Sequence, residues 1–135
     1  MNTGRKKLLI IDNEETLTEM LKIALEQVGG FHVQTENNPI SAVGAARQFQ
    51  PDLIVLDIKM PGLDGADVIM RIRNEPKLAQ IPVVFFTGNV SANESRMIGN
   101  CRFLAKTVRL DEMVACLKQA LADADEQSTT QPKVA

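Results

Sequence analysis

Short apolar runs recur along the chain and predict its strands. Lys7–Ile11 (KLLII), Leu53–Leu56 (LIVL) and Ile81–Phe86 (IPVVFF) are continuous runs rich in branched and aromatic residues. They are too short for helices and lack polar alternation, as expected of strands covered on both faces. Phe31–Glu36 alternates and predicts a half-exposed edge strand, and Arg102–Ala105 predicts a short last strand. Between them, apolar residues fall at helical spacing. Leu17, Met20, Leu21, Ala24, Leu25 and Val28 mark a helix stopped by Gly29-Gly30. Asn38 and Pro39 suit an N-cap and first helical position, opening a helix that turns Ile40, Val43, Ala46 and Phe49 inward. Asp64–Asn74 predicts a third helix capped by Asp64, Ser91–Gly99 a short fourth, and Leu110–Leu121 a closing amphipathic one.

Strands alternating with helices predict an α/β fold, a parallel sheet with helices on both faces. Parallel strands bring their C-terminal ends to one edge, where open α/β sheets place ligand sites. Four of the predicted strands end in residues capable of chemistry: Asp12, Asp57, Thr87 and Lys106. Singly, each has a structural explanation: a turn aspartate, a capping threonine, a solvated lysine. Four at one edge point to a site. Neighbouring carboxylates repel unless a hard cation joins them, and an all-oxygen site with few protein ligands suits Mg²⁺. Such a metal neutralises an incoming phosphoryl group, Lys106 and Thr87 hold its other oxygens, and Asp57 becomes the nucleophile of an acyl phosphate. The segment after the first strand is acidic rather than glycine-rich, which disfavours a nucleotide site.

Composition narrows the choice further. A 135-residue chain is the size of one domain, with residues 1–122 expected to fold and 123–135 (DADEQSTTQPKVA from Asp123) to form a disordered tail or linker stub. A net charge of −2 without a Lys/Arg cluster argues against a nucleic-acid surface. No apolar run is long enough for a membrane span or a secretory signal, so a cytoplasmic protein is expected. Cys101 and Cys116 are then expected as free thiols packed like small hydrophobes, and His32 as solvated surface.

These residues resemble the receiver domain of bacterial two-component response regulators over Lys6 to about Leu121. Asp57-x-x-Met60-Pro61-x-x-Asp64-Gly65 is similar to the phosphoacceptor stretch, Asp12 to the first residue of an acidic pair, and Thr87 to the switch hydroxyl. Lys106 is similar to the family's lysine, and Phe103, three positions before it, to the aromatic whose rotamer reports activation. The resemblance implies a flavodoxin-like (βα)5 three-layer sandwich with a five-stranded parallel sheet in the order 2-1-3-4-5. It implies that Asp57 accepts a phosphoryl group from a sensor histidine kinase or phosphotransfer protein. Mg²⁺ would be held by Asp57, the backbone carbonyl of Lys59, waters, and the pair Asp12 and Asn13. Output would pass to a downstream protein, with no nucleic-acid or membrane partner, and the domain would signal rather than act as an enzyme.

Three departures from the family pattern stand out. Asn13 occupies the place of the second acid, so the site has one negative charge fewer. Thr107 replaces the proline after the lysine, which favours a trans Lys106–Thr107 bond, with the lysine still reaching Asp57. Thr87 and Lys106 are 19 positions apart, about three fewer than usual, nearly one helical turn. A receiver-like module that binds partners without phosphorylation is the alternative. An aspartyl phosphatase is third, because position 59 of its Asp-x-Asp spacing is lysine.

Overall fold

The computed structural model describes residues 4–58, 65–88, 96–98 and 101–130. In chain order the elements are β1 (Lys7–Ile11), α1 (Glu15–Val28), β2 (His32–Glu36), α2 (Ala42–Phe49), β3 (Leu53–Leu56) and α3 (Gly65–Arg73). They continue with β4 (Val83–Thr87), β5 (Arg96–Ile98), β6 (Cys101–Ala105) and α4 (Leu110–Thr130). The sheet runs β2-β1-β3-β4-β6-β5. Its five parallel strands follow the expected order 2-1-3-4-5, with β6 as the fifth.

Alternate residues of the central strands enter two cores. Leu8 and Ile10 of β1, with Val55, Val84 and Leu104, pack against Leu25 of α1 and Met113 and Leu117 of α4. Leu9 and Ile11, with Ile54, Leu56 and Phe85, pack against Ala42 and Ala46 of α2 and Val68 and Ile72 of α3. Burial on both faces is why the strand sequences read as unbroken apolar runs. Among the described residues no helix is long and apolar enough to cross a membrane.

Several elements differ from the pattern-based expectation. The segment expected as the fourth helix is extended at Arg96–Ile98 and pairs antiparallel with β6, Ile98 opposite Cys101. Two adjacent apolar residues, Met97 and Ile98, do not separate helical from strand periodicity. An open β6 edge is then satisfied by any nearby strand. The other residues of that expected helix, and Asp64, lie outside the described ones. Ile40 is exposed rather than inward, because Pro39–Ser41 forms a 3-10 turn that rotates it away before α2 begins. Asn38 caps that turn as expected, its Oδ1 accepting from the Ile40 amide at 3.0 Å. α4 continues past Leu121 to Thr130, so the expected irregular tail is helical over 123–130. Ala124, Glu126 and Gln127 are good helix formers, and Asp123 pairs with Arg102 of β6.

His32 is exposed on edge strand β2, its ring edge-on to Phe49 at 5.3 Å. Cys116 is a free, half-buried thiol against the first core, and burial pushes its pKa up despite nearby Arg102.

Two glycines make a paired test of packing. A Cβ on Gly29, which closes α1, would stand 2.6 Å from the Phe31 ring and 2.9 Å from the Leu25 carbonyl. Gly44 lies inside α2 with open space around it. Gly29→Ala should cost about 1–3 kcal/mol in urea unfolding, whereas Gly44→Ala should gain about 0.5–1 kcal/mol. Equal effects of the two substitutions would contradict this packing.

Candidate functional site

The C-terminal edge of the parallel strands gathers Asp12, Asp57, Thr87 and Lys106 as expected. Hydrogen bonds beyond each strand set their positions. The Asp57 amide donates to Ile11 O at 2.9 Å, the Asp12 amide to Glu36 O at 3.1 Å, and the Lys106 amide to Thr87 O at 3.0 Å. Asp12, Asp57 and Thr87 are 1%, 4% and 2% exposed. Carboxylates buried this deeply require a counter-charge or strong hydrogen bonds.

Lys106 supplies the counter-charge. Its Nζ lies 3.0 Å from Asp12 Oδ2, 2.6 Å from Glu14 Oε1 and 3.3 Å from Asp57 Oδ2. No peptide bond among the described residues is cis, so Lys106–Thr107 is trans, and the lysine still reaches Asp57. Burial works against the charge of Lys106, but the contacts with Glu14 and Asp12 and the charges of Asp12 and Asp57 outweigh it. Its pKa is raised. Lys106 therefore adds to stability fully below the ordinary lysine value of about 10.4, and loses that contribution only as pH rises through the raised value. A side-chain NMR titration should find Lys106 still charged at about pH 10.4; an ordinary midpoint would contradict these contacts.

Two residues of this region were not singled out from the sequence. Glu14 precedes α1 and sends its carboxylate to Lys106, 92 positions away. Asn37, just past β2, donates from Nδ2 to Asp12 O at 2.8 Å and to buried Thr18 Oγ1 at 2.9 Å, tying the β1–α1 loop to β2. Asn13 is exposed. Phe103 is half-buried and stacks on Phe85, ring centroids 5.1 Å apart. Lys59, with Met60 and Pro61, lies outside the described residues.

A parallel sheet in the order 2-1-3-4-5 with an acid–lysine cluster at its C-terminal edge is the flavodoxin-like architecture with a site at the strand ends. A family model, the response regulator receiver domain, matches residues 8–118, and the chain belongs to that family. The DNA-binding dual master transcriptional regulator RpaA of Synechocystis sp. is 32% identical over 122 residues, covering 88% of this chain and 50% of that protein. The polar-differentiation response regulator DivK of Brucella anthropi is 26% identical, over 88% of this chain and 98% of DivK. Thus the chain spans about half the length of RpaA and nearly all of DivK. Among solved structures, a response regulator from Desulfuromonas acetoxidans superposes with a TM-score of 0.73 at 28% identity, covering 87% of this chain and 97% of that one. Chemotaxis protein CheY4 of Vibrio cholerae, at 22% identity and TM-score 0.74 over 86% of this chain and 98% of its own, shares the fold.

Receiver domains of this family accept phosphoryl groups and typically bind Mg²⁺. The donors at this edge fit such an ion. Buried Asp12 Oδ2 accepts no aligned hydrogen bond, although it lies in ion-pair range of Lys106. Among the described residues no three acidic, histidine or cysteine side chains are grouped to hold a metal by themselves. Mg²⁺ needs no such cage, since it keeps several waters and takes one or two carboxylates.

Proposed function

We propose that this chain is a phosphorylatable receiver. Asp57 takes a phosphoryl group from a phosphohistidine on a sensor kinase or phosphotransfer protein, and the change is read by a protein partner. What carries this reading is the buried Asp57 carboxylate at the sheet edge, with the Lys106 ammonium at 3.3 Å and Thr87 on the adjoining strand. Asp57 attacks phosphorus as the bond to the imidazole nitrogen breaks, leaving an acyl phosphate on the carboxylate. Lys106 turns from the carboxylates toward the new phosphoryl oxygens, and the Thr87 hydroxyl donates to another. Asp12, Asp57 and, by the family resemblance, the Lys59 carbonyl would hold Mg²⁺, which would supply positive charge against the phosphoryl oxygens. As Thr87 moves in, half-buried Phe103, which stacks on Phe85 before phosphorylation, turns inward, giving a local charge event a two-state readout.

The relatives differ in extent: RpaA, described as DNA-binding, is matched over half its length, whereas DivK has nearly the span of this chain. A protein partner fits the low net charge here better than nucleic acid does.

One observation favours the second reading, a partner-binding module that works unphosphorylated: Lys106 already has three carboxylate partners without any phosphate. Incubation with acetyl phosphate separates the two. The receiver takes one base-labile phosphate in Mg²⁺ and none in EDTA; a chain that stays unlabelled in Mg²⁺ is the interaction module.

A further inference from the structure

Three carboxylates, not two, meet the Lys106 ammonium, and the third comes from an unexpected position. Glu14 sits at the N-cap of α1, where Ser, Thr, Asp or Asn is the usual choice. Its side chain makes no capping hydrogen bond. Instead it turns back to Lys106 at 2.6 Å, while its amide donates to Asp12 Oδ1 at 3.0 Å. A local choice that forgoes the cap for a contact at the site is the kind of inconsistency that marks functional residues. Next to it, Asn13 is exposed and uncharged.

The charges support the same assignment. Asp12, Glu14 and Asp57 carry three negative charges and Lys106 one positive, which leaves two, the complement of a divalent cation. Without Glu14 only one would remain. The second observation is Asp12 Oδ2, buried at this edge with no aligned donor although Lys106 is close.

We infer that Glu14 replaces the acid missing at Asn13, so that the working acidic pair for Mg²⁺ is Asp12 and Glu14. This rests on the receiver reading and deepens it. The direct partner of the ion remains Asp12. Glu14 contributes its charge and receives Lys106 when the ammonium moves aside for the cation.

Calorimetric Mg²⁺ titration of the whole chain, without any phosphodonor, tests this. Glu14→Gln should weaken Mg²⁺ roughly tenfold, the loss expected for one nearby charge partly screened by solvent. Glu15→Gln removes the same charge one residue away and should change affinity less than about twofold, since exposed charges at a distance are screened. Moving the carboxylate back, in Asn13→Asp/Glu14→Gln, should restore affinity to within about threefold of the natural chain. Asn13→Asp alone should bind Mg²⁺ more tightly than the natural chain. The inference is overturned if Glu14→Gln binds like the natural chain, or if Glu15→Gln weakens binding as much. It is equally overturned if the natural chain binds no Mg²⁺. Acetyl phosphate labelling run in parallel reports on the receiver reading alone. A labelled chain whose Mg²⁺ affinity ignores Glu14 defeats only the inference. An unlabelled chain with Glu14-dependent Mg²⁺ binding defeats only the receiver reading.

Discussion

Asp57→Asn should reduce phosphorylation by acetyl phosphate to background while leaving the fold intact. The amide has nearly the shape of the carboxylate, and the backbone bond from residue 57 to Ile11 O at 2.9 Å does not involve the side chain. Chemistry is lost because a carboxamide oxygen is a poor nucleophile and cannot become the stable acyl phosphate. Folding suffers little. One of the buried negative charges on Lys106 disappears, relieving repulsion with Asp12 as it removes an ion pair. Stability should therefore stay within about 1 kcal/mol of the natural chain. Intact-protein mass before and after base treatment reads the label, and urea unfolding reads the fold. A base-labile phosphate that survives Asp57→Asn places the acceptor elsewhere. A variant that fails to fold is replaced by Asp57→Glu, which keeps the charge but displaces the carboxylate, and should also stay unlabelled.

Lys106→Met should have the largest effect on stability. Methionine keeps the apolar stem in place but leaves Asp12 and Asp57, both nearly inaccessible, without the ammonium that holds them together. Stranding one partner of a buried ion pair costs about 3–5 kcal/mol. The open side of this site admits some water, so about 2–4 kcal/mol is expected, a large share of a domain stability of about 5–15 kcal/mol. The midpoint of urea unfolding should fall accordingly. Lys106→Met/Asp57→Asn should recover more than half of the loss, because the charge that was stranded has been removed as well; that non-additivity is the signature of a direct ionic contact. Strict additivity, or a single variant as stable as the natural chain, would mean that Lys106 is not the counter-ion of the pair.

The sequence by itself determined the parallel α/β class and the main strands, because strands buried on both faces must be apolar throughout, and β1, β3 and β4 are. It also determined that Asp12, Asp57, Thr87 and Lys106 share an edge: parallel strands have no other way to place their C-terminal ends. Only the tertiary structure decided which core each strand face enters, since a run such as Leu8–Ile11 offers no polar residue to tell one face from the other. It alone turned Arg96–Ile98 into an edge strand, where the exposed ladder of β6 outweighed a weak local preference. And it alone brought Glu14 to Lys106 and Asn37 to Asp12. Spacing along a chain reports the periodicity of one element. The reach of a flexible side chain across a loop depends on where another element ends, and only the folded sheet sets that distance.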